Sequence, residues 1–139
     1  KANKIWGTFV WNMFDFAIDS RNEGGIPGRN DKGLVTYDRK TKKDAFFLYK
    51  SYWSREKVVY ITSRRFETRE RQRINVKIYS NESHITLYVN GKKAGFKHAK
   101  SAPQSHIFTF RGIKLSKGRN EIKAVSENGV SDTVTWEYK

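Results

Sequence analysis

The apolar rhythm of this chain changes twice. From Ile5 to Trp11 both faces of an extended chain are hydrophobic, and the run then breaks into Asn12-Met13-Phe14-Asp15-Phe16. A strand covered on both sides reads this way, so the pattern predicts a strand inside a larger sheet. Only one further strand-like piece, Gly33-Leu34-Val35-Thr36, precedes a helix, and the chain is therefore expected to start inside a domain whose earlier strands are missing. Between them, residues 17–31 read as loop: Asn22-Glu23-Gly24-Gly25 and Pro27-Gly28 form turns, and the charges have no period. Loops of this length are more often functional than idle. Thr41-Lys42-Lys43-Asp44 has the spacing of a capping box, and Ala45, Leu48, Tyr49, Tyr52 and Trp53 follow at helical spacing. Strand, long loop, short strand end and helix are the order of the last unit of a (β/α)8 barrel.

From about Arg55 the pattern becomes one of short alternating runs. Residues 57–63 form a first strand; Ile74, Val76 and Ile78 alternate with polar neighbours, as do Ile85, Leu87 and Val89. Asn90-Gly91 is a hairpin signal that returns the chain through residues 92–96, and residues 106–110, 120–126 and 131–138 complete about seven strands. That count predicts an immunoglobulin-like β-sandwich. The expected fold is thus mainly β, with a barrel-derived piece over residues 1–54 and the sandwich over residues 55–139. Trp136 and Phe110 are the expected core anchors.

Composition narrows the chemistry. There is no cysteine, which removes disulfides, zinc-thiolate sites and thiol nucleophiles, and no metal or cofactor site is predicted. No apolar run is long enough to span a membrane. A net charge of +14 would favour a polyanionic partner if it were concentrated. The densest group, Arg64, Arg65, Arg69, Arg71 and Arg73, is interleaved with Glu67 and Glu70, and no nucleic-acid recognition motif accompanies it. A solvated or domain-contacting face is the better reading, with no nucleic acid and no membrane as partner.

The segments FVWNMFDFA, KGLVTYDRK and KKDAFFLYKSYW, in this order and spacing, resemble the end of the catalytic barrel of glycoside hydrolase family 2. The resemblance covers residues 5–54, and the remainder is similar to a β-sandwich that follows the barrel in bacterial members. It implies a retaining glycosidase, in which one carboxyl serves as acid/base and a second as nucleophile. Both glutamates of the family lie on earlier barrel strands and are absent here, so no catalytic residue is assigned. Glu23, in a Gly-rich loop, reads as a loop charge. The chain alone is expected to be inactive.

What the resemblance does assign is a substrate rim at the C-terminal end of the last strand. Trp11 would be the aromatic wall of the sugar subsite; the plainer reading is a core aromatic. Asn12 and Asp15 follow on the rim, and each reads equally as a cap or local turn. Asn30-Asp31-Lys32 resembles the Asn-x-Lys pair by which β-glucuronidases hold the sugar carboxylate, although the surrounding GRNDKGLVTYDRK resembles β-galactosidase-type members. Solvated loop residues are the third reading of Asn30 and Lys32.

The ranking from sequence is therefore a β-galactosidase part first and a β-glucuronidase part second. A carbohydrate-binding or docking module, with Tyr79, Tyr88 and Phe96 as an aromatic platform, is the alternative from another class. Implied partners are a β-galactoside or β-glucuronide in the full enzyme, the missing barrel, and a second copy of the chain as a candidate. Periplasmic or secreted placement is favoured for the parent.

Overall fold

A computed structural model describes Lys4, residues 6–100 and residues 104–139. The chain divides into two compact units, residues 1–46 and 47–139.

In the first unit, the opening run does not form a strand among the described residues, and Ile5 lies outside them. Backbone amides and carbonyls need partners, and among the described residues the end of the run finds them. Leu34 N–H donates to the Asn12 carbonyl (2.9 Å) and Val35 N–H to the Met13 carbonyl (3.0 Å), giving an isolated parallel bridge between Phe14 and Val35. Residues 17–31, expected as loop, form an antiparallel hairpin of β1 (Phe16–Glu23) and β2 (Ile26–Asn30). Its turn is Gly24-Gly25, both at positive φ (61° and 75°), the geometry of a two-residue type I′ turn.

The helix α1 (Asp44–Trp53) passes from the first unit into the second. It starts at Asp44, so Thr41 is not its cap: the Thr41 amide instead donates to Thr36 Oγ1 (3.0 Å). The expected capping box is therefore corrected.

The second unit is a β-sandwich. Its strands are β3 (Val59–Ile61), β4 (Thr68–Arg69), β5 (Arg73–Ser80), β6 (His84–Val89), β7 (Lys92–His98), β8 (Ile107–Lys114), β9 (Gly118–Ser126) and β10 (Ser131–Tyr138). One sheet has the order β3-β5-β8, the other β4-β10-β9-β6-β7, with β4 parallel to β10. Alternation does what the sequence predicts: Val76 and Ile78, Ile85 and Leu87, Ile122 and Ala124, Val134 and Trp136 all point into one core shared by both sheets. Trp136 and Phe110 are buried in it. Asn90-Gly91 adopts positive φ at both residues (51° and 75°) and joins β6 to β7, as expected.

Polar groups that enter the core differ: Trp136 Nε1 and Ser126 Oγ have no hydrogen-bond partner among the described residues, whereas Asn120 is paired. Asn120 is fully buried, yet its Oδ1 accepts from Ser116 N–H (2.8 Å) and Asn90 Nδ2 (3.1 Å) while its Nδ2 donates to the Ser116 and Gly118 carbonyls (both 2.8 Å). An amide side chain is satisfied this way at little net cost. The arginine group is largely engaged by the sandwich itself. Arg64 pairs with Asp132 and lies 4.2 Å from the Tyr60 ring centroid; Arg69 lies 3.9 Å from that of Trp136 and donates to the Ser63 carbonyl. Burial lowers the Arg69 pKa from its ordinary value.

The expected aromatic platform is not one surface. Tyr79 stands on the outer face of the three-stranded sheet, whereas Tyr88 and Phe96 belong to the five-stranded sheet. Phe96 instead packs with His84 and His98, its ring centroid 5.2 and 4.8 Å from theirs.

Helix residues from Phe47 onward are part of the sandwich unit. Phe47 stacks on the buried Tyr60 (centroids 3.7 Å, planes 8° apart), and His106 Nδ1 donates to the Ser51 carbonyl (2.6 Å) while its ring stacks on Tyr52. A chain cut to residues 47–139 is expected to unfold cooperatively in urea, and one cut to residues 55–139 to be less stable by about 2–3 kcal/mol, the scale of losing a partly buried aromatic contact. Equal stability of the two would show that the helix is not part of this core.

Glu127 gives a pH signature. Burial alone would raise its pKa, but hydrogen bonds from the Ser83 hydroxyl and from the Ser83 and His84 amides outweigh this and hold it at about 2 rather than 4.5. A carboxyl with a depressed folded-state pKa stabilises the fold above its ordinary pKa and loses that contribution as pH falls through the folded value. Urea midpoints measured from about pH 5 down to about pH 2 should therefore fall more steeply for the native sequence than for Glu127→Gln. Parallel profiles would contradict the assignment.

Candidate functional site

The first unit is gathered around the carboxylate of Asp15. This residue closes the apolar run and is only 2% exposed, with Oδ1 accepting from Gly33 N–H (2.9 Å) and from Lys43 Nζ (2.6 Å). Its amide donates to the Val35 carbonyl (3.0 Å), and its own carbonyl accepts from Arg39 Nη1 (2.9 Å). Arg39 is delivered by the turn at residues 36–41, where it has φ 65° and its guanidinium lies 4.2 Å from the Phe14 ring centroid. Hydrogen bonds from the Thr36 hydroxyl and the Lys40 amide brace that turn on Asp38 and hold the Asp38 carboxyl below its usual pKa.

Gly33 is dictated by contact. A methyl group there would lie 2.1 Å from Asp15 N and 2.2 Å from the Phe14 carbonyl carbon, so no larger residue fits without moving the backbone.

The hairpin brings the second half of the site to the same place. Phe16 pairs with Asn30, so the end of β2 sits beside Asp15. Asn30 is 4% exposed, and its Oδ1 accepts the Lys32 amide (3.0 Å). The Asp31 amide donates to Glu23 Oε2 (3.0 Å), and its carbonyl accepts from Lys43 Nζ (2.8 Å). The Asp31 carboxylate receives Arg29 in a two-point contact, Nε–Oδ1 2.5 Å and Nη2–Oδ2 3.0 Å. The hydrogen bond to Asp31 raises the Arg29 pKa. The amides of residues 31, 32 and 33 are thus each held by a side chain, from Glu23, Asn30 and Asp15 in turn. The Lys32 side chain remains half exposed, its Nζ 3.5 Å from Glu23 Oε1.

Of the residues singled out from sequence, Asp15, Asn30 and Lys32 converge on this loop. Asn12 is tied locally: its Oδ1 accepts the Met13 amide (2.7 Å) and its carbonyl the Leu34 amide. Trp11 is 74% exposed, joined to Asn12 by a cis peptide and set edge-on to Phe16 (centroids 6.1 Å). Glu23 acts as a tether for residues 31 and 32. Sequence reasoning missed Lys43, Gly33 and Arg39. Lys43 was absorbed into a helix-start pattern, and nothing in the spacing linked it to Asp15, 28 residues away. The hairpin had one usable signal, Gly24-Gly25, but its flanks lack alternation and contain Pro27.

Comparison with known proteins extends these observations. Residues 71–131, within the sandwich, match a family described as a domain of unknown function, DUF4982. The chain is 39% identical over 138 residues to a β-glucuronidase of Bacteroides fragilis, covering 97% of this chain and 19% of that protein. The crystal structure of an FMN-binding β-glucuronidase from Faecalibacterium prausnitzii superposes with a TM-score of 0.88 at 44% identity, covering 97% of this chain and 20% of that one. Over almost its whole length, the chain is homologous to family 2 glycoside hydrolases. A β-galactosidase of Bacteroides ovatus also matches, 30% identical over 94 residues, 67% of this chain and 11% of that protein. The chain therefore spans about a fifth of the glucuronidases it matches, and the family 2 relatives carry two sugar specificities in their names. Among the described residues there is no group of three His, Asp or Glu placed to hold a metal ion, and no helix long and apolar enough to cross a membrane.

The Gly33 contact yields a direct test. Gly33→Ala should loosen the loop by about 1–3 kcal/mol, the usual cost of overpacking, and speed proteolytic cleavage between Gly24 and Lys32 by roughly tenfold or more. An unchanged cleavage rate would show that the backbone absorbs the methyl group.

Proposed function

We propose that this chain belongs to a retaining family 2 glycosidase that removes terminal β-D-glucuronic acid, and that it supplies the part of the rim that recognises the sugar carboxylate. This reverses the order reached from sequence, where galactosides came first. The observation that carries it is the loop at residues 30–33. Its amides are held by side chains of the same unit, while the Lys32 ammonium remains half exposed beside Glu23. A lysine on a fixed backbone can meet a carboxylate without first having to be ordered, and a charge-assisted bond of that kind discriminates strongly against a neutral hydroxymethyl group. The names of the Bacteroides fragilis and Faecalibacterium prausnitzii relatives support the same reading.

Within it, Trp11 offers an exposed aromatic face to the sugar, and Asn30 works mainly through its bond to the Lys32 amide. The catalytic carboxyl pair is assigned to the remainder of the parent protein. Residues 1–54 are read as the end of its barrel. The strand order β3-β5-β8 over β4-β10-β9-β6-β7 supports an immunoglobulin-like assignment for the sandwich. A galactosidase is the second reading, favoured by the Bacteroides ovatus relative and by the Glu23 carboxylate that already accompanies Lys32.

In the full parent enzyme, Lys32→Ala should lower kcat/KM for nitrophenyl β-D-glucuronide by a hundredfold or more, about 3 kcal/mol, as expected for losing one partner of a charged hydrogen bond. Galactoside turnover should change little. Unchanged kinetics on both sugars would return Lys32 to the solvated loop and remove the basis for this reading.

A further inference from the structure

We infer that Lys43, together with the buried Asp15 carboxylate, is a positioning residue for the Lys32 ammonium and so for recognition of an acidic sugar; this rests on the glucuronide reading above. Lys43 Nζ makes two bonds at once, to Asp15 Oδ1 (2.6 Å) and to the Asp31 carbonyl (2.8 Å). That carbonyl belongs to the peptide from which Lys32 projects. The other half of the same peptide, the Lys32 amide, is held by Asn30 Oδ1, and the next amide, Gly33, is held by Asp15 Oδ1. The orientation of the Lys32 backbone is therefore set from both ends, and the Asp15–Lys43 pair supplies one of the two ends directly and the other through Gly33.

The pair is built to stay in place. The Asp15 side chain is 3% exposed and that of Lys43 16%. A carboxylate this deeply buried needs a charged partner, and removing one partner leaves the other uncompensated. Lys43 is also fixed through its own backbone: its amide donates to the Leu34 carbonyl (2.8 Å), and its carbonyl accepts the Phe46 amide (3.0 Å) at the start of α1. Its ammonium thus reaches the loop from an anchored base. The geometry separates two kinds of lysine, one largely buried that orders the backbone and one half exposed that lies beside Glu23 within reach of a ligand.

A merely structural lysine, once altered, would weaken turnover of every substrate alike. A positioning lysine would not, because the glycosidic bond of a neutral sugar does not depend on where Lys32 points. The test uses the complete parent enzyme with two matched substrates, nitrophenyl β-D-glucuronide and nitrophenyl β-D-glucoside, which differ in the carboxylate. Lys43→Gln should raise KM for the glucuronide at least tenfold and leave kcat/KM for the glucoside within threefold of the native value, and Lys43→Arg should recover most of the loss. If Lys43→Gln fails to fold, the double variant Asp15→Asn with Lys43→Gln, which leaves no buried charge uncompensated, is read the same way with its thermal midpoint recorded alongside. Equal losses on both sugars, or no loss on either, would overturn the inference. Lys32→Ala run in parallel separates the two claims. If it abolishes glucuronide preference while Lys43→Gln does not, only the positioning role falls; if it leaves that preference intact, the glucuronide reading itself falls.

Discussion

A buried carboxylate is an expensive thing for a protein to keep, and the first unit is arranged to satisfy that of Asp15. Its desolvation would cost several kcal/mol without compensation, so it draws in the Lys43 ammonium and the amide of the close-packed Gly33. Each of these partners comes from a different part of the chain. Lys43 leads into the helix, Gly33 follows the hairpin, and Asp15 itself ends the apolar run. Satisfying one charge therefore fixes three segments together. The loop at residues 30–33 takes its shape from that junction, and the proposed recognition of an acidic sugar depends on the loop.

The sandwich rests on a different balance. It has no cysteine, so its stability comes from two alternating sheets that close one apolar core around Trp136, Phe108 and Phe110. Asn120 enters that core with a complete set of four bonds. The stacked pair Phe47 and Tyr60 extends this core to the helix, which explains why the division of the chain falls at residue 46 and not at the end of the helix.

How much of this could be read from the sequence follows from how local each signal is. The strands of the sandwich were legible because period-two alternation is a property of neighbours: residues 131–138 form β10 as predicted, and Asn90-Gly91 makes the turn its composition demands. The helix was legible from its spacing, while its start was not, since Thr41 is held by Thr36 and not by the helix. The opening run misled because its apolar faces suit a strand only where partner strands exist, and most of it has none among the described residues. For the site, the sequence singled out Trp11, Asn12, Asp15, Asn30 and Lys32, and the last three meet at the loop at residues 30–33. It could not show that Asp15 turns its oxygen toward Gly33 and Lys43, because a bond across 28 residues has no periodicity to reveal it. Of the two readings weighed for Asp15, a rim residue or a local cap, its bonds to Gly33 and Lys43 support a structural one.

The most direct test is a crystal structure of the complete parent enzyme with a competitive inhibitor that carries the carboxylate of glucuronic acid. Lys43 Nζ is expected to keep its contacts with Asp15 and the Asp31 carbonyl while Lys32 Nζ leaves Glu23 and lies within about 3 Å of the inhibitor carboxylate. A carboxylate bound by other residues, with Lys32 still beside Glu23, would contradict it.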